Sequence, residues 1–224
     1  MKPWLFAIMI GAAATPAAAQ SVDDGFCRNG SFPKAQATFG FATVTGSGRL
    51  HFLEDMDGCP NAERRCRGSS YVVPGDRVVT GRSQGNYVCA YFPSRGGGTA
   101  GWVERVRLRS LRTDPAPPLS AWAGTWSDEG GNPTIRITAR RGRLQGSGTA
   151  YWPGPPGSTD WPAGGVHQGA FEGELVRRGN RARHADDGCE IDFVLLGDML
   201  LAGDNNSCGG MNVSFTGVYR RRGR

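Results

Sequence analysis

Six cysteines are the residues best able to do covalent chemistry: Cys27, Cys59, Cys66, Cys89, Cys189 and Cys208. No two stand at C-x-x-C spacing, and His51, His167 and His184 are scattered without H-E-x-x-H or similar ligand spacing. An even cysteine count with no metal pattern points to disulfides, and spacing alone leaves their connectivity open. No serine sits in a G-x-S-x-G elbow. The acidic pair Asp186-Asp187 lies in HADDGC, where it reads as a turn rather than a Ca²⁺ loop, because too few further oxygen ligands accompany it. Catalysis needs a nucleophile with its base, an acid pair or a metal, and none is legible. The chain is expected to be no enzyme and to carry no cofactor or metal.

Two stretches invite a binding reading instead. The segment WPGPPGSTDWPAGG, from Trp152 to Gly165, holds Trp152 and Trp161 between prolines and glycines. Rigid exposed Trp offers large contact area at low entropy cost, so both are candidate ligand contacts; folding back to cap the neighbouring strands is an equal alternative. The segment DNNSCGG, Asp204 to Gly210, reads as a loop of residues tolerant of left-handed backbone, clipped if Cys189 bonds to Cys208. The numbering favours that clip. A turn between Leu196 and Met199 sets Cys189 opposite a residue near position 206.

The elements that must position these residues are short. Glycine (35) and proline (14) are abundant and no long run has helical periodicity, so an all-β architecture is expected. The first residues, MKPWLFAIMIGAAATPAAAQ, join Lys2 to an apolar run and an A-x-A pattern ending at Ala19, which reads as a bacterial export signal over residues 1–19. The run falls short of the roughly 20 residues of a membrane span, so a periplasmic or secreted protein without a transmembrane segment is expected. The net charge of +6 admits anionic envelope polymers as partners, although a solvated basic surface explains it more simply. No nucleic acid is expected. The TDPAPPL stretch, residues 113–119, reads as a Pro-rich linker between units 20–112 and 120–224 that should fold separately, with four cysteines before it and two after.

Before the linker, strand-like runs fall at Thr38–Thr45, Arg49–Leu53, Tyr71–Val73, Arg77–Gly81, Tyr87–Phe92 and Gly101–Leu108. After it they fall at Trp122–Ser127, Thr134–Ala139, Arg143–Trp152, Val166–Val176, Arg181–His184, Cys189–Leu196, Met199–Ala202 and Asn212–Arg220. Mostly short turns join the second set, so an eight-stranded up-and-down antiparallel barrel should form.

In the first unit RLHFLED, YVVPGDRVVTG, GNYVCAYFP and GWVERVRL together resemble a bacterial SH3 domain over about residues 38–111. The resemblance implies a small barrel, with Tyr87, Tyr91, Phe92 and Trp102 near a peptide-binding face. Strand alternation puts Tyr87, Cys89 and Tyr91 on one side and Val88, Ala90 and Phe92 on the other. Cys59 with Cys66 would then fix a variable loop, and Cys27 with Cys89 would tie an extra N-terminal segment to the aromatic strand. The second unit, opening WAGTW and closing FTGVYR, resembles the calycin barrels, which include lipocalins, avidins and small protease inhibitors. That likeness implies that Trp126 stacks on Arg220 or Arg221. Together the resemblances imply a non-catalytic envelope binding protein that recognises peptidoglycan, a peptide or an envelope protein. Inhibition of an exported lysozyme or protease is the alternative, and a wall-associated enzyme the third.

Overall fold

The computed structural model describes residues 26–34, 38–61, 63–94, 97–128, 131–152 and 166–223. The export segment 1–19 and Trp161 with its loop lie outside the described residues.

The chain is all-β, with seven strands in one sheet and eight in a closed antiparallel barrel. The barrel strands are β8 (Gly124–Ser127), β9 (Thr134–Arg140), β10 (Arg143–Trp152), β11 (His167–Arg178), β12 (Arg181–Asp186), β13 (Cys189–Leu196), β14 (Met199–Asp204) and β15 (Gly217–Arg221). Each pairs with its neighbour in sequence, and β15 returns to β8 through Arg220 opposite Ser127 and Arg221 opposite Trp126. Inward positions are filled by Trp126, Ile137, Phe171, Phe193, Phe215, Tyr219 and others, as a barrel of this strand number requires. Gly148 is needed for that filling. A Cβ there would come within 2.4 Å of the Phe171 ring.

The first and last barrel strands start later than the sequence reading has them. Trp122–Ser127 splits into a helical turn (Leu119–Trp122) and β8, with Trp126 Nε1 donating to the Trp122 carbonyl at 3.0 Å. The last strand begins at Gly217 rather than Asn212, because the preceding turn is drawn onto Asp204. Phe215 N–H donates to its Oδ2 at 2.7 Å, while the hydroxyls of Ser214 and Thr216 donate to Oδ1 at 2.9 and 2.8 Å. The Tyr219 hydroxyl donates to the Phe215 carbonyl. Burial, reinforced by the Asp128 and Asp204 carboxylates, pushes this phenol well above its ordinary range.

The first sheet runs β3-β2-β6-β5-β4-β1-β7. Its strands are β1 (Gly40–Val44), β2 (Leu50–Leu53), β3 (Arg67–Val72), β4 (Arg77–Gln84), β5 (Tyr87–Ser94), β6 (Gly97–Glu104) and β7 (Leu108–Leu111). The run expected over Gly101–Leu108 breaks at a 3-10 turn, Arg105–Arg107, which supplies the seventh strand. Disulfides join Cys27 to Cys89, Cys59 to Cys66 and Cys189 to Cys208. Ile191 stands opposite Asp204, so Cys189 falls opposite position 206, as the turn count requires.

The sheet and the barrel share a buried cluster. Phe41, Leu53, Val79, Cys89 and Trp102 of the first sheet pack with Val194, Leu196, Met199 and Leu201 of β13 and β14. From Phe193 to Leu196 and from Met199 to Ala202 these strands are therefore buried on both faces, and Arg77 adds an ion pair with Asp198 at 2.7 Å. The Pro-rich segment also lies against the barrel, where Arg177 donates to the Pro117 carbonyl at 3.3 Å.

Candidate binding surfaces

The aromatic strand β5 is covered on the side that carries Tyr87, Cys89 and Tyr91. The Cys27–Cys89 disulfide pulls the N-terminal segment over it, Phe32 packs 5.5 Å from the Tyr91 ring, and the Tyr91 hydroxyl donates to the Gly97 carbonyl at 3.3 Å. Tyr87 and Tyr91 are half-buried against the shared cluster, while Phe92 packs on the opposite face with Val88 and Ala90. Trp102 is 0% exposed, so it offers no surface to a ligand. Its indole N–H donates to Asp55 Oδ1 at 2.6 Å, and the Arg82 guanidinium lies 4.6 Å above the ring. Asp55 also accepts the Cys27 backbone N–H. The face assigned to peptide binding by the SH3 resemblance is thus occupied from within the chain, by the N-terminal segment and by β13 and β14.

A different aromatic surface stands free on β2 and β3. Tyr71 is 41% exposed, with the Arg49 guanidinium 4.2 Å above its ring and the His51 ring 5.6 Å away. His51 is held by a Nδ1 contact with the Gly68 carbonyl at 3.0 Å. Arg67, exposed, opens β3 opposite Leu53, and the exposed Arg64 and Arg65 precede it on a turn closed by the Cys59–Cys66 disulfide. Strand β3 is an edge of its sheet, so one side of its backbone bonds to no other strand. Tyr71, Arg49 and His51 were not among the expected ligand residues. Their signal in the sequence is the exposed alternation of RGSSYV, where Tyr71 interrupts small polar residues.

In the barrel, Arg221 lies 4.7 Å above the Trp126 ring and donates to the Ala121 carbonyl, which selects Arg221 over Arg220 as the stacking partner. Trp152 is half-buried at the barrel rim, 5.5 Å from the His167 ring, and packs on the core. The barrel wall also has a gap. Strand β11 pairs with β12 only through Val176, Arg177 and Arg178, opposite Arg183, Ala182 and Arg181. At its other end β11 meets the Cys208 loop instead, through a Gly169–Gly209 bridge and a Gly210 N–H bond to the Gln168 carbonyl at 3.0 Å. Cavities of about 690 and 460 Å³ open along the unpaired stretch, and His184 and Asp186 line both.

These features define an all-β, disulfide-bonded protein of one sheet and one filled barrel packed together. No family model matches the chain, and no curated protein or solved structure matches it. Among the described residues no helix is long and apolar enough to cross a membrane.

Proposed function

We propose that the protein is an exported, non-catalytic binding protein of the bacterial cell envelope, which holds an extended acidic peptide of an envelope partner along β3. The observation that carries this reading is the conjunction, at one sheet edge, of unpaired backbone, an exposed Tyr71 and a group of arginines. An added strand would bond to the free edge, and side chains then set specificity. Arg49, Arg64 and Arg67 would meet carboxylates, with Tyr71 packing against the strand between them. Three disulfides accord with an oxidising compartment. The 3-10 turn before β7 supports an SH3-like first sheet, and the Trp126–Arg221 stack supports a calycin-like barrel.

The test is anisotropy of labelled acidic and neutral ten-residue peptides with the oxidised protein spanning 20–224, beside sedimentation with purified peptidoglycan. Arg67→Glu should weaken acidic-peptide binding at least about tenfold, a difference of about 1.4 kcal/mol, and Tyr71→Ala should weaken both peptides. Thermal melting should stay unchanged in both variants. Equal binding by wild type and Arg67→Glu refutes the reading, and retention by peptidoglycan alone moves the partner from peptide to wall polymer. A second reading, inhibition of an exported hydrolase, draws on the filled barrel and its clipped 189–208 loop, a rigid scaffold that loses little entropy on docking. A stoichiometric complex that silences a lysozyme or protease would favour it.

A further inference from the structure

The gap between β11 and β12 exposes His184 to two cavities. His184 is 3% exposed, its ring lies 5.0 Å from that of Phe171, and no hydrogen bond from the described residues reaches the imidazole. Without a partner among the described residues, the imidazole is left to bond water through the gap, a place that a ligand hydroxyl can take. The ring is not sealed in, since it lines both cavities that meet at the gap.

The walls describe what fits. Phe193 and Ala182 line the larger cavity, and Phe171 the smaller. Gly173 faces the imidazole, and a Cβ there would come within 3.0 Å of His184 Cε1, so glycine keeps the slot open beside the ring. An opening between two diverging strands is a slot and favours a plate. At about 690 Å³ the larger cavity is of the size that small-molecule sites have. Around the larger cavity Arg178, Arg181 and Arg183 are balanced by Glu174, Asp186 and Asp192, while the smaller adds Glu172 and Asp187 with no basic residue, so an anion gains nothing at the gap.

We propose that this gap binds a small, uncharged, planar ligand of the phenol class, with its ring against Phe171 and Phe193 and its hydroxyl hydrogen-bonded to a nitrogen of His184. Hydroxyl and imidazole complete each other's hydrogen bonding, and the ring replaces water on apolar walls. The site lies in the barrel and is independent of the peptide surface on β3.

The experiment is a nuclear magnetic resonance titration of the oxidised, isotope-labelled protein with phenol, with cyclohexanol and toluene as comparison probes. Cyclohexanol keeps the hydroxyl without the plane, and toluene keeps the plane without the hydroxyl. Phenol should shift the His184 imidazole resonances saturably and bind at least about tenfold tighter than either comparison, since a site built around a hydrogen bond rejects the analogue lacking it. Gly173→Ala retains the histidine and narrows the slot, and should weaken phenol at least about tenfold. His184→Leu should show the same loss, and serves alone if Gly173→Ala does not fold. Arg67→Glu should bind phenol as the wild type does, so failure of the β3 reading and failure of this one are distinguishable. Unmoved His184 resonances, equal binding of all three probes, or phenol affinity indifferent to these variants would overturn the proposal and leave a gap that holds water only.

Discussion

Asp204 is the side chain on which both halves of the molecule converge, and replacing it with alanine tests that. Its carboxylate is fully enclosed and takes bonds from the Phe215 backbone and the Ser214 and Thr216 hydroxyls, while the Lys34 ammonium of the N-terminal segment lies 3.3 Å away. Asp204→Ala strands the Phe215 N–H, a buried donor whose loss of acceptor costs about 1–3 kcal/mol. It also removes the counter-charge of Lys34, and breaking an enclosed pair from one side costs about 3–5 kcal/mol. The two figures share the same bonds and do not add. Because Lys34 retains 17% exposure and also donates to Asn206 Oδ1 at 2.6 Å, it can turn to water, so the expected total is about 3–4 kcal/mol. Lys34→Met leaves the enclosed carboxylate its turn donors but no counter-charge, and should cost less than Asp204→Ala, about 1–2 kcal/mol. Urea unfolding of the oxidised protein measures both, and the double variant gives their coupling. A loss below about 1 kcal/mol for Asp204→Ala, or equal losses for the two single variants, refutes the assignment of Asp204 as the closure of the last strand.

Trp102→Ala should lower stability by about 3–5 kcal/mol in thermal or urea unfolding, because a fully enclosed indole and its bond to Asp55 are lost together; a binding defect at unchanged stability would contradict the packing. Tyr219 governs the alkaline limb. Above an ordinary phenol value near 10 the unfolded chain releases this proton while the folded one keeps it, so stability is constant below that pH and falls above it. Unfolding followed from pH 8 to 12 should fall less steeply in Tyr219→Phe than in the wild type, and identical slopes would refute the assignment.

How far the sequence exposes this structure depends on whether the deciding contact is local. The β13–β14 hairpin was legible because its turn residues, Gly197 and Asp198, fix the register, and the register alone brings Cys208 near Cys189. The same hairpin carries a second signal that strand counting passes over. Its residues alternate as far as Ile191 and then run apolar from Phe193 to Leu196, and again from Met199 to Ala202, the pattern of strands buried on both faces. What covers the second face lies about a hundred residues earlier in the chain, and periodicity names no partner. Alternation sorts the residues of β5 into two faces correctly, but both faces are buried, and the cover of the Cys89 face comes from a disulfide-held segment and a distant hairpin. Trp102 is enclosed by that cover. His184 was readable in part, since RARHAD alternates and places Ala182 and His184 inward. That its imidazole goes unpaired follows from the early end of the β11–β12 ladder, which no local pattern records.

The covering of one face has a consequence for where this protein can bind anything. A sheet recognises partners through an exposed face or through an unpaired edge, and packing on β13 and β14 removes the face that holds Trp102. Closing the barrel removes most of its edges, and side chains fill its axis. Both proposed sites lie where pairing stops. At β3 it stops because the sheet ends, leaving backbone beside Tyr71 and the arginines; between β11 and β12 it stops because the loop carrying Cys208 takes the place of a partner strand at Gly169. The first is long, basic and open to water, which suits an extended acidic chain. The second is short, apolar and built around one histidine, which suits a single small ring.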